Sequence, residues 1–128
     1  MYSLSYEVRF LQRVPPDVLE EIVAELLRRM GFKDVRCIGG PSDKGVDIEA
    51  YLDTPLGVRE KYIVQVKRYS SSKVGHRELM YFIAALDATR ADKGIFVTTS
   101  DFTRSAIDLV EGNENYSCLL YTSPSPRD

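Results

Sequence analysis

Two runs of this chain, VDIEAYL at 46–52 and KYIVQVKRY at 61–69, follow the two-residue rhythm of a pleated strand, and the segment between them carries a Pro and a Gly able to turn the chain. A hairpin here restricts the fold more than any other feature, because a slip of one residue would exchange every inward side chain for an outward one. It also puts polar residues where strand interiors belong. Asp47 stands in the first strand, and Gln65 and Lys67 in the second, flanked by Ile63, Val64 and Val66. Side chains alternate across a strand, so Gln65 and Lys67 share one face. A connection centred near Leu56 sets Asp47 opposite Gln65, and all three then project together.

The rest of the chain supplies the partners of that hairpin. Residues 17–30 carry Val18, Leu19, Ile22, Val23, Leu26, Leu27 and Met30 at the spacing of an amphipathic helix, with Pro15 and Pro16 before it and Gly31 as its stop. A short β-prone run from Val35 to Ile38 ends in the turn-forming GGPSDKG. Residues 75–90 place Leu79, Phe82, Ile83 and Leu86 at helical spacing, GIFVTT at 94–99 reads as a buried strand, and Phe102 to Val110 as a short helix that Ser100 or Asp101 is suited to cap. The order α-β-β-β-α-β-α predicts an α/β domain, a mixed central β-sheet flanked by helices.

At 128 residues, with 44% hydrophobic and 28% charged side chains, the chain has room for one hydrophobic core. No apolar run approaches the ~20 residues that span a bilayer, and MYSLSYEVRF has charges where a signal peptide needs its apolar stretch, so the expected location is cytoplasmic, with no membrane partner. Cys37 and Cys118 make no disulfide framework. The net charge of -2 draws no nucleic acid by itself, so DNA binding must come from a local basic surface or a bound cation. The composition shifts abruptly at residues 118–128, CLLYTSPSPRD, which resemble the in-frame translation of a sequencing adapter at all eleven positions. The expectation is therefore a domain over 1–117, incomplete at its C-terminal end, followed by an adapter-derived or disordered tail over 118–128.

A carboxylate, an amide oxygen and an ammonium converging on one spot suit phosphodiester hydrolysis. Mg²⁺ takes oxygen ligands and commonly uses only one or two protein carboxylates plus substrate phosphate. Asp47 would supply the charge, with the Gln65 side chain and the Val66 carbonyl as neutral oxygen ligands. Mn²⁺ can stand in for Mg²⁺, and no small-molecule cofactor is implied. The ion would polarise the phosphate and acidify a bound water, while Lys67 orients that water or stabilises charge on the phosphate oxygens. The same residues also read as a plain salt bridge between Asp47 and Lys67 on a solvated sheet face, since D…QxK spacing arises easily by chance.

The surroundings separate these readings. In order, LEEIVAELLRRMGF, GGPSDKGVDIEAY, LGVREKYIVQVKRY, VGHRELMYFIAAL and ADKGIFVTTSDFTRSAI resemble the catalytic domain of Mrr-like restriction endonucleases, in the PD-(D/E)xK nuclease superfamily. The resemblance covers roughly residues 10 to 110 and implies a restriction-endonuclease-like core and a Mg²⁺-dependent endodeoxyribonuclease of type II/IV-like kind, acting in restriction of foreign or modified DNA. It maps the family's metal-binding Asp to Asp47, the Gln at its usual Glu position to Gln65, its Lys to Lys67, and the acidic residue of its first helix to Glu20, a further or water-mediated metal contact with Glu21 beside it. Asp43 is read mainly as a turn-former, and Gly39 and Gly40 as a loop that could touch DNA. Arg68, Lys73, Thr99 and Ser100 are candidate DNA contacts, and Lys61, Lys73 and Arg77 a candidate basic surface. His76 is a surface helix residue, and Tyr62, Tyr69, Tyr81 and Phe82 are read as packing residues. A junction-resolving nuclease and a catalytically silent DNA-binding module of the same fold are the competing functions. Cutting both strands needs two active sites or two visits; a homodimer on DNA would supply two sites, and no sequence feature fixes it.

Overall fold

The computed structural model describes residues 2–3, 13–38, 45–69, 71–111 and 118–122. Its elements run β1 (Tyr2–Ser3), α1 (Pro16–Arg29), β2 (Lys33–Cys37), β3 (Ile48–Asp53), β4 (Arg59–Lys67), α2 (His76–Ala88), β5 (Lys93–Thr98), α3 (Arg104–Glu111) and β6 (Cys118–Thr122). The hairpin is symmetric about Leu56: β3 and β4 pair antiparallel from Ile48↔Val64 to Asp53↔Arg59. The sheet order is β1-β6-β5-β4-β3-β2, antiparallel among β2, β3 and β4 and parallel from β4 outward, which makes the sheet mixed.

Two apolar layers seal the two faces. On one, Val23, Ala24 and Leu27 of α1 pack onto Val35, Ile48, Ala50, Tyr62, Val64, Ile95 and Val97. On the other, Leu79, Phe82 and Leu86 of α2 and Ala106 of α3 pack onto Ile63 and Phe96. Phe96 meets the rings of Phe82 and Phe102 edge-on at 5.3 and 5.8 Å, the arrangement that the aromatic quadrupole favours. Gly94 lets α2 sit this close, because a Cβ there would lie 2.8 Å from Phe82 and 2.9 Å from Leu86.

Three features differ from the sequence expectation. Five residues of the segment set aside as a tail, Cys118–Thr122, form β6 alongside β5, so in the structure β5 does not end the sheet. The outer edge of β5 offers unpaired backbone groups, and LLYT is apolar and β-prone enough to take them. Residues 123–128 lie outside the described residues. The cap of α3 is Thr103, whose Oγ1 accepts the Ala106 N–H at 3.2 Å, rather than Ser100 or Asp101. The predicted start at Phe102 came two residues early because Phe102 bridges Val74 instead. Lys61, expected on a basic surface, is half-buried: its Nζ donates to the Thr89 carbonyl at 3.1 Å and pairs with Glu49 at 3.6 Å. Among the described residues no helix is long and apolar enough to cross a membrane.

Candidate active site

The three polar residues that interrupt the strand pattern lie where the hairpin ladder ends. Asp47 lies one residue before β3, its N–H donating to the Val64 carbonyl at 2.8 Å. Its carboxylate reaches across to β4, where Oδ2 accepts the Val66 N–H at 2.7 Å, between Gln65 and Lys67. Asp47 is 6% and Gln65 8% exposed, so they do not lie on a solvated face. Lys67 is half-buried and lines one cavity together with Gln65, Gly45 and Glu49. Gly45 adopts φ +83°, and a Cβ on it would come 3.5 Å from the Gln65 Oε1, so the bend before Asp47 brings backbone up against the amide.

The neighbouring elements hold this hairpin end in place. The start of α1 packs on it from the opposite face, with Val14, Leu19 and Ile22 against Val66. Glu20 is half-buried there, and Glu21 is exposed. Both carboxylates face Cys37, the β2 residue paired with Ile48; burial, a hydrogen bond to Glu21 and the charges of both carboxylates push the Cys37 thiol up to about 11. Glu20 therefore stands at the same end of the sheet as Asp47. On the other flank, β5 pairs Thr98 with Lys67. The Thr99 hydroxyl donates to the Tyr69 carbonyl at 2.9 Å and accepts the Tyr69 N–H at 3.0 Å, and the Ser100 hydroxyl donates to the Ser72 carbonyl. Both candidate DNA contacts thus anchor the segment that follows Lys67. Arg68 is half-buried, Lys73, His76 and Arg77 are exposed, and Asp43, Gly39 and Gly40 lie outside the described residues.

Two carboxylates that sequence reasoning passed over complete the surroundings. Glu49 lies two residues along from Asp47 and accepts hydrogen bonds from Arg36 at 2.6 Å and the Tyr51 hydroxyl at 2.8 Å. Burial pushes its pKa up, but the Arg36 and Tyr51 hydrogen bonds and the charge of Lys61 outweigh burial and hold Glu49 below the ordinary carboxylate value. The period-two pattern that linked Gln65 to Lys67 would have found Glu49 from Asp47. Glu78, on α2, accepts the Tyr69 hydroxyl at 2.6 Å, and this bond, with burial and the Glu78 charge, pushes the phenol up to about 12. Tyr81, read as a packing residue, is 70% exposed at the cavity rim.

Buried oxygen donors with a single formal charge, Asp47 and the Gln65 amide, fit a hard cation that keeps waters and shares a phosphate better than a soft one. Among the described residues no three His, Cys, Asp or Glu gather into a metal cluster, so the fit rests on this sparse set.

The chain is 40% identical over 108 residues to the type IV methyl-directed restriction enzyme EcoKMrr of Escherichia coli (strain K12), an alignment covering 81% of this chain and 34% of that protein. The chain thus spans about a third of that relative's length. Among solved structures it superposes on the DNA modification-dependent restriction endonuclease AspBHI with a TM-score of 0.61 and 19% identity, covering 96% of this chain and 37% of the other. It superposes on the MspJI restriction endonuclease, solved in complex with a 27-mer oligonucleotide, with a TM-score of 0.52 and 18% identity, covering 95% and 33%. At these identities the two structures speak for the fold. Residues 11–121 match the family model Mrr_cat, described as a restriction endonuclease, and the chain belongs to that family.

Proposed function

We propose that this domain hydrolyses phosphodiester bonds of DNA with the help of Mg²⁺, in the restriction of foreign or modified DNA. The observation that carries the reading is the buried pair Asp47 and Gln65 beside Lys67 at the open end of the β3–β4 hairpin. The methyl-directed enzyme among its relatives and the oligonucleotide bound by MspJI support DNA as the substrate.

Asp47, the Gln65 side-chain oxygen and the Val66 carbonyl would hold the ion, with Glu20 as a further or water-mediated contact. When bound, the ion supplies polarisation of the phosphate and a more acidic water. The chain's own groups do the rest. The Val66 N–H fixes one oxygen of Asp47, which sets the direction of the other without cost at the moment of reaction. Lys67 stabilises the charge that grows on the phosphate oxygens as water attacks and the P–O bond breaks. The Thr99 clasp on Tyr69 keeps the Lys67 strand end from fraying. Cutting both strands takes two such sites or two visits by one, and a homodimer on DNA would supply the two sites.

Plasmid nicking tests the reading. Chelation should abolish cleavage and Mg²⁺ or Mn²⁺ restore it, whereas Asp47→Ala or Lys67→Ala cutting as fast as the parent would overturn the mechanism. The neutral Gln65 favours one second reading, a silent DNA-binding module, which predicts binding without cleavage in either ion.

A further inference from the structure

Helix α2 meets the sheet with two kinds of side chain. Leu79, Phe82 and Leu86 fill the core, whereas Ala84, Ala85 and Ala88 border a cavity of about 660 Å³ between the helix and the β3–β4 face. Val46 and Ile63 give it an apolar floor, Tyr81 stands at its rim, and Gln65 and Lys67 form part of its wall. The volume falls within the range of small-ligand pockets, and apolar walls with a few polar groups suit a flat molecule with polar edges.

Two observations point to what that molecule is. Gln65 is more than nine-tenths buried where it lines the cavity. A cation can take only its oxygen, so its NH₂ group is left as a donor for a ligand, one that an ionised carboxylate in the same place would lack. Charge then sorts the parts of a nucleotide. Glu49 and Glu78 also line the cavity and disfavour an anion there, while Lys67 offers a positive group for a phosphate.

We propose that the cavity receives the nucleobase adjoining the scissile phosphate, turned out of the stack, with Tyr81 as an aromatic wall and the Gln65 NH₂ donating to the base edge. The proposal rests on the nuclease reading and deepens it, since a strand whose phosphate lies at Lys67 brings its own base to the cavity. Unstacking and unpairing cost a few kcal/mol, least where the base is already unpaired. The favoured substrate is therefore DNA with an unpaired nucleotide at the cut.

The experiment uses the whole chain and short duplexes, with a one-nucleotide bulge walked across the mapped cleavage position. A bulge at that position should raise kcat/KM at least about tenfold over the paired duplex. Ala84→Phe and Ala88→Phe fill the cavity from exposed positions on α2. They should bring the ratio to within about twofold while leaving the melting temperature and the half-saturating Mg²⁺ unchanged. Equal rates on bulged and paired DNA, or Phe variants that keep the preference, overturn the proposal while Asp47→Ala still reports on the nuclease reading. If Asp47→Ala instead cuts like the parent, anisotropy decides the cavity separately: bulge-selective binding that Ala88→Phe removes supports the base site, and binding indifferent to Ala88→Phe overturns it.

Discussion

The β3–β4 hairpin has two faces built from the same residues in alternation. Toward α1, Ile48, Ala50, Tyr62 and Val64 form a continuous apolar surface. The residues that alternate with them toward α2 are Glu49, Gln65 and Lys67, beside a cavity, with Ile63 the apolar member. Stability is concentrated on the first face and the proposed chemistry on the second, and the pleat keeps them in fixed register. The polar face is affordable because each carboxylate has a defined donor: Val66 N–H for Asp47, Arg36 and Tyr51 for Glu49, and Tyr69 for Glu78.

The sharpest way to break this division is to change neighbours on opposite faces. Asp47→Ala should lower DNA cleavage about a thousandfold, the several kcal/mol that a held cation supplies. Ile48→Ala, one residue along, should cost about 3 kcal/mol of stability, or roughly 10 °C in Tm, while the folded fraction cuts at the parental rate. Nicking rates and thermal melts on the same samples check both, and a variant that loses both properties equally would show that the faces are not independent. Lys67→Met should lose about a hundredfold in rate with no loss of stability, because removing a half-buried ammonium removes its desolvation cost.

Smaller effects sharpen the comparison on the polar face alone. Glu49 has a lowered folded-state value, so its contribution is present above its unfolded value and is lost as pH falls through the folded one. Urea melts from neutral pH down to about pH 3 should therefore show a shallower acid loss in Glu49→Gln than in the parent. Tyr69, pushed up to about 12, keeps its proton at physiological pH and so keeps its bond to Glu78. Tyr69→Phe should cost about 1 kcal/mol, with near-ultraviolet circular dichroism and melting as readouts.

The hairpin, its register about Leu56 and the two main helices were legible because period-two and period-3.6 patterns are local. The ladder ends at Ile48 and Val64, one rung short of the Asp47–Gln65 pairing that this register led one to expect. The carboxylate's actual partner, a backbone N–H of β4, was not legible, because side-chain patterns carry no record of which main-chain donors lose their ladder partners. Thr103 was passed over as a cap because Phe102 read as helical, whereas a bridge to Val74, 28 positions earlier, holds it extended. β6 was hidden by composition: its Ser- and Pro-rich continuation outweighed four β-prone residues, and only the open edge of β5 gives them a place. The cavity was invisible for a related reason, since three alanines read as good helix formers and not as missing volume.

The placement of Asp47 at the open end of the hairpin has a kinetic side. Pairing that starts at the Leu56 turn closes rung by rung, and the rungs nearest the turn join residues close in sequence, whereas β4 and β5 come together only after the whole of α2 has been spanned. Within the hairpin, Asp47 is therefore the last contact to zip and the first to unzip. Hydrogen exchange at its amide will report the opening of that end, on a clock separate from that of global unfolding.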